Sequence, residues 1–387
     1  MPGIRAVPVP SNAVLLHIGP HKTGTTALQG AFHNGRATLA AHGVHYPGPD
    51  RSPGMAILAV TGRPPRRGDP SPRHAAWKAL VAEVAAHADQ RVVISSERFA
   101  STPPDRIRPI VADLDPARVH VVVTLRPLAR ILPSQYQQYV QNALTMPYPI
   151  WLRRTLARPP GSRPSPDFWV RHAHDQLVQR WVDAVGADQV TVVALDDADP
   201  SSLPRAFEQL LDLPPATLEL GLSNRSLSAG EIETLRQLNW QFKRRRWPQS
   251  LYGRYARDAF VNRVRQRPLH PDDPRLVTPA WAVQRAQEVS AAAATAIERS
   301  GVQVIGDLSV LSRPEPADRV GEPPKDPPVP ASVVARALVG TIVVGRDTRW
   351  PRQPEREVAH LSTGVLVRIV ARRLRRRLRR RLRLLGS

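Results

Sequence analysis

Ala13-Val-Leu-Leu-His-Ile-Gly-Pro-His-Lys-Thr-Gly-Thr-Thr26 decides how this chain is read. Its first half is a short apolar run, which predicts a buried strand over Ala13–Gly19. From Gly24 onward, Ala27, Leu28, Ala31 and Phe32 fall on one helical face, which predicts a helix to about Ala41. A glycine loop between a strand end and a helix start presents free backbone N–H groups and the helix dipole, and together these attract an anion. Gly24 permits close backbone approach. Thr25 and Thr26 bring hydroxyls to the helix start, and Lys22 supplies a point charge.

The same alternation continues along the chain. Strands are predicted at Val44–Tyr46, Arg91–Ser95, Val119–Leu125 and Val190–Leu195. Helices are predicted at Ala75–Ala88, after Pro127, at Asp167–Val185 and at Leu203–Leu211. The Val-rich runs suit parallel strands covered on both faces. The expected fold is therefore α/β, three-layered, with a central, mostly parallel sheet flanked by helices. Residues 47–73 and 143–166 are rich in Pro and Arg and read as loops, the second as a substrate-side lid. Beyond Ser223 the pattern turns helical, at Ala229–Lys243, Ala256–Arg263 and Pro279–Arg299, and Val302–Leu311 closes the domain. The expected organisation is an α/β domain over 1–312, a Pro-rich linker over 313–330, and a C-terminal extension over 331–387.

The loop departs from the nucleotide-triphosphate pattern G-x-x-x-x-G-K-[ST]. Gly19 and Gly24 have its spacing, but Thr25 stands at the lysine position. The Val119–Leu125 strand ends in Arg126-Pro127, where a Mg²⁺-binding acid would be needed. Lys22-Thr-Gly-Thr-Thr26 after a strand instead resembles the 5′-phosphosulfate loop of sulfotransferases that use 3′-phosphoadenosine 5′-phosphosulfate (PAPS). A second hallmark of that family is a strand ending in Arg, with a Ser eight residues later in the next helix. Here it reads Val121-Val-Val-Thr-Leu-Arg126-Pro-Leu-Ala-Arg-Ile-Leu-Pro-Ser134. The resemblance spans roughly residues 13–310 and implies a P-loop-like sulfotransferase fold with PAPS as sulfuryl donor. It implies that residues 23–26 (Thr23, Gly24, Thr25 and Thr26), with Lys22, hold the 5′-phosphosulfate, and that Arg126 and Ser134 grip the 3′-phosphate. The acceptor would be a hydroxyl or amine, and no metal is expected.

Transfer to such an acceptor calls for a general base, which in the family is a His or a Glu. Glu97, in Val92-Val-Ile-Ser-Ser-Glu97, sits just past the C-terminal end of a predicted strand, where open α/β sheets bind ligands. Its alternative role is to pair with Arg98, Arg126 or a helix N-terminus. His21 is the rival base, and its alternatives are loop structure or contact with donor or acceptor. His17 lies on the strand and reads either as a satisfied core histidine or as one that supports a site residue from behind. His172 and His174 share no convincing ligand set. Gln135, Tyr136, Gln138 and Tyr139 divide between facing the acceptor and packing. Ser228 with Glu231 three residues on reads as a capping box, and Arg225 is left open between helix capping and the 3′-phosphate.

Composition sets the outer limits. The 387 residues include 41 Pro and no Cys, which excludes disulfides, thiolate metal sites and a cysteine nucleophile. Formal charge is +22. Ten Arg and no acid fall in residues 361–387, so the first 360 residues carry +12. Leu374, Leu378 and Leu382 recur every fourth residue in that tail, with Leu385 one turn further, which outlines an Arg-rich amphipathic helix suited to an anionic membrane surface. The other readings are a disordered tail or nonspecific contact with nucleic acid; no specific nucleic acid is expected. With no signal peptide and no 18-residue apolar run, the expected location is cytoplasmic and peripheral at the inner membrane surface. Two rival functions stay open: a P-loop kinase or NTPase, and a non-catalytic protein that binds polyanions or membrane surfaces.

Overall fold

The computed structural model describes residues 7–61, 72–157, 166–221 and 225–347. Along the chain run β1 (Val14–Gly19), α1 (Thr25–Asn34), α2 (Arg36–Ala41), β2 (Val44–His45), α3 (Gly54–Val60), α4 (Pro72–Ala86), β3 (Arg91–Ser95), α5 (Pro104–Asp113) and β4 (Val119–Leu125). Then come α6 (Leu128–Gln141), α7 (Tyr148–Leu156), α8 (Pro166–His172), α9 (His174–Val185), β5 (Val190–Ala194), α10 (Ser202–Leu210) and α11 (Ala229–Arg245). The short α12 (Gln249–Tyr252) and α13 (Asn262–Arg265) flank a π-helical stretch at Gly253–Val261. They are followed by α14 (Ala280–Arg299), β6 (Gln303–Ile305) and α15 (Ala331–Asp347). The chain forms two compact units, residues 1–246 with 267–330, and residues 247–266 with 331–387.

The first unit is built on one six-stranded sheet in the order β2-β3-β1-β4-β5-β6, and every pairing is parallel. Alternation along β1 explains the layers. Val14, Leu16 and Ile18 enter one core with Ile107, Leu177, Trp181 and Ile297, from α5, α9 and α14. Leu15 points the other way, into a core with Leu28, Phe32, Phe207 and Leu210, from α1 and α10. A sheet covered on both faces has no use for polar alternation, and every residue of β4 except His120 is buried. The chain leaves β1 toward β2 and leaves β4 toward β5, on opposite sides. The crevice at the C-terminal ends of β1 and β4 is therefore the topological switch point, where open α/β sheets bind ligands.

Several expectations need correction. The helix expected over Gly24–Ala41 breaks at Gly35, and Asp167–Val185 breaks at Ala173. Residues 47–73 hold α3, whose Ala56 and Ile57 are buried; residues 62–71 lie outside the described residues. Residues 143–166 are not simply a lid. They contain α7, which buries Tyr148, Trp151, Leu152, Thr155 and Leu156. Aromatic packing fixes it: the Trp151 ring lies 5.6 Å from those of Tyr136 and Phe168, and the Tyr148 hydroxyl lies 2.9 Å from the Thr278 hydroxyl. Residues 158–165 fall outside the description. The Pro-rich stretch 313–330 groups with the first unit and bridges to it through Thr278 and Val320.

In the second unit α15 packs on the π-helical stretch. A Cβ at Gly340 would overlap the carbonyl oxygen of Ala259, so only glycine admits this contact. The tail at 361–387, with its expected amphipathic helix, lies outside the described residues. Among the described residues no helix is long and apolar enough to cross a membrane.

Candidate functional site

The loop from Gly19 to Gly24 turns sharply, with φ of 79° at Gly19, 72° at Lys22 and 83° at Gly24. Hydroxyls beneath it hold this path. Thr23 is buried; its Oγ1 donates to Pro20 O at 2.6 Å and lies 2.7 Å from Thr124 Oγ1 on β4. Thr124 Oγ1 lies 3.2 Å from His17 Nε2, and His17 Nδ1 lies 2.8 Å from Ser95 Oγ on β3. One hydrogen-bonded chain thus ties β3, β1, β4 and the loop together. Burial drives the His17 pKa down to about 3, so the ring is neutral. His17 is the satisfied core histidine expected from its place on the strand. Thr23 spends its hydroxyl inside the protein, so what it has for a phosphate is its backbone N–H.

Thr25 is buried, and its Oγ1 has no hydrogen-bond partner among the described residues. A buried hydroxyl without a partner costs free energy, and here it sits in the first turn of α1, where backbone N–H groups are also free of intrahelical bonds. Thr26 and Gly24 are exposed beside it. Lys22, half-buried, donates from Nζ to Gln138 Oε1 on α6 at 3.3 Å. His21 is half-buried next to it.

Glu97 does stand at this edge. A Cβ placed on Gly19 would be 3.0 Å from the Glu97 Cα and Cβ and 3.5 Å from Thr25 Oγ1. Gln29 on α1 donates to Ser95 O at 3.0 Å and to Glu97 Oε2 at 3.4 Å, which orients the carboxylate. Glu97 makes no ion pair with Arg98 or Arg126 among those described.

Arg126, directly after β4, reaches the loop: Nη1 donates to Lys22 O at 3.4 Å. Its other donors are engaged by a residue that sequence reasoning missed. Asp197, three residues past β5, accepts from Arg126 Nε at 2.8 Å and from Nη2 at 2.9 Å. Arg130 Nε lies 3.0 Å from the same carboxylate and 3.1 Å from Glu315. A fork of two parallel N–H···O bonds is how guanidinium also grips phosphate. The only sequence signal was an acidic cluster, Asp196-Asp197-Ala-Asp199, immediately after a strand. Ser134 is half-buried on α6, two turns after Arg126.

The remaining candidates separate cleanly. Gln138 faces Lys22, whereas Tyr136 packs against Tyr148 and Trp151 and donates to Met146 O at 2.9 Å. Gln135 is buried near His172, with Oε1 at 3.5 Å from Nε2. Burial, then the charges of His174, His21, Arg171 and Lys22, hold His172 well below the usual imidazole range. Ser228 and Glu231 form the expected capping box. Arg225 grips that Glu231 carboxylate with two bonds, at 2.8 and 2.9 Å, and Arg267 adds another at 3.0 Å. This favours the capping role for Arg225. Among the described residues no group of three or more His, Asp or Glu could hold a metal ion.

No protein-family model matches the sequence, and no curated protein matches it. Among solved structures, a sulfotransferase from Alicyclobacillus acidocaldarius matches with a TM-score of 0.38 at 15% identity, covering 63% of this chain and all of that one. A likeness of that degree carries no functional argument, and the reading below rests on the residues themselves.

Proposed function

We propose that the chain is a PAPS-dependent sulfotransferase that acts on a hydroxyl or amine acceptor. The observation that carries this reading is the convergence of two cationic anion-binding elements on the switch point. The Lys22 loop leaves β1, Arg126 leaves the adjacent β4, and Arg126 Nη1 touches Lys22 O. The strand that would carry a nucleotide kinase's metal-binding acid carries this Arg instead. The fit to a phosphosulfate is physical. Three positive-φ residues curve the loop, the first turn of α1 presents N–H groups, and the buried Thr25 hydroxyl, without a partner among the described residues, lies at its base.

The donor supplies an activated sulfuryl group with a phosphate leaving group. The protein's part is positioning and charge stabilisation. Loop N–H groups and Thr25 bind the 5′-phosphosulfate, and Arg126 and Ser134 receive the 3′-phosphate. The acceptor oxygen or nitrogen forms the new bond to sulfur while the sulfur–oxygen bond to phosphate breaks. Lys22 Nζ stabilises the charge that gathers on the departing oxygen. Glu97, held by Gln29, takes the acceptor's proton.

Isothermal titration without Mg²⁺ tests the reading, comparing adenosine 3′,5′-bisphosphate with ATP in the wild-type chain and in Arg126→Ala. The expected result is preference for the bisphosphate, lost in the variant. Binding of ATP alone, or only with Mg²⁺, would turn the reading toward a kinase or NTPase.

A further inference from the structure

Helix α15 is apolar on two opposite sides. Val333, Ala337, Gly340 and Val344 recur along one side, where Val333 and Gly340 are buried and Gly340 meets Ala259. Along another side run Val334, Leu338 and Ile342, spaced four residues apart, with Val339 beside them. They are 48%, 58%, 68% and, for Val339, 52% exposed. Four large aliphatic side chains open to water on one 17-residue helix is not what a solvated surface contains.

The charge around this face is one-sided. Helix α15 has two arginines, Arg336 and Arg346, and a single acid, Asp347, at its last position. The second unit's described residues, 247–266 and 331–347, hold six arginines against two aspartates. The sequence then continues to residues 361–387, with ten more arginines and no acid. A cationic tail is repelled by a cationic unit, so the tail is a poor cover for the stripe. A second copy of the unit would bring the same charge. An anionic lipid surface answers both features: the headgroups meet the arginines and the acyl boundary takes the aliphatic side chains.

We infer that the Val334–Leu338–Ile342 face of α15 is a membrane-docking surface that seats the chain on an anionic bilayer. The helix lies in the interface and does not span. This inference does not depend on the sulfotransferase reading.

The test is co-sedimentation of the full chain with phosphatidylcholine vesicles, with and without phosphatidylglycerol, at low and high salt. Leu338→Ser/Ile342→Ser is compared with wild type, and Val334→Ser serves as an independent single variant. The wild-type chain binds the phosphatidylglycerol vesicles and leaves those of pure phosphatidylcholine. The double variant binds the former about tenfold or more weakly, at both salt concentrations, with an unchanged melting curve. Val334→Ser shows a smaller loss in the same direction. Equal binding by wild type and variants would overturn the inference, because the tail would then suffice alone. So would an absence of vesicle binding, or self-association in light scattering that the double variant abolishes, since the face would then belong to a second copy.

Discussion

Replacing Asp197 with Asn should tighten the grip on a 3′-phosphate. Asp197 now occupies Arg126 through two bonds, at 2.8 and 2.9 Å, and also holds Arg130 at 3.0 Å. An arriving phosphate must exchange with this carboxylate, and Arg130 is placed to retain the displaced group. Arg126 and Asp197 are 29% and 26% exposed, so solvent discounts the pair. A fully exposed pair is worth up to about 1 kcal/mol, while bidentate geometry and partial burial raise that to about 1–2 kcal/mol. The isosteric amide keeps the shape and removes the charge. Affinity for adenosine 3′,5′-bisphosphate should therefore rise about 5- to 30-fold. Affinity for adenosine 5′-monophosphate, which has nothing to place at Arg126, should stay within about twofold. Titration calorimetry of Asp197→Asn against both ligands measures the effect. Weaker bisphosphate binding, or an equal gain for both nucleotides, would refute the competition.

Three further outcomes follow from the geometry. Glu97→Gln should lower donor turnover, read as release of adenosine 3′,5′-bisphosphate, by about 10²–10⁴-fold while leaving bisphosphate affinity intact, and His21→Gln should not. Gly24→Ala places a Cβ 2.5 Å from Leu203 Cδ2 at φ 83° and should cost about 1–3 kcal/mol, read as a lower melting temperature; adding Leu203→Ala should relieve only the steric part. Acid should unfold the chain early. Burial holds His17 at about 3, His120 and His174 at about 4, and His172 well below its usual value of 6.5. Unfolding therefore takes up protons below pH 6.5. Stability is intact above that pH and falls as the pH drops from 6.5 toward 4, because the unfolded histidines take up protons that the folded ones refuse, measurable by urea denaturation between pH 7 and 5.

The sheet was legible because Val119–Leu125 and Val190–Ala194 are short, Val-rich runs without an acid or an Arg or Lys, and because Gly19 and Gly24 bracket a loop that only a strand-to-helix turn requires. Lys22, Glu97 and Arg126 were legible for the same reason: each follows a strand that ends at the same edge. Asp197 was not, since its pairing depends on β5 lying next to β4, a tertiary fact with no local pattern. Helix α7 was hidden by the Pro and Arg around it; what holds it is packing of Trp151 on Tyr136 and Phe168, from segments 15 and 17 residues away. Thr23 and Thr25 look alike in the sequence, yet one donates to the Pro20 carbonyl and the other is buried without a partner among the described residues.

The polar chain under the loop has a direction. The Thr23 proton goes to Pro20 O, so the Thr124 proton turns to the loop, toward Thr23 Oγ1 or Gly19 O, and Thr124 Oγ1 can then accept from His17 Nε2–H. That leaves His17 Nδ1 bare to accept from Ser95. The chain crosses three strands, with the Gly19 carbonyl as a further acceptor for Thr124. Changing one alone strands a buried lone pair or a buried proton. Positions 17 and 95 should therefore drift together over evolutionary time. A divergent copy that swaps the imidazole at 17 for a hydrocarbon should also carry a non-hydroxyl residue at 95, whereas the hydroxyl at 124 keeps Thr23 and the Gly19 carbonyl as partners.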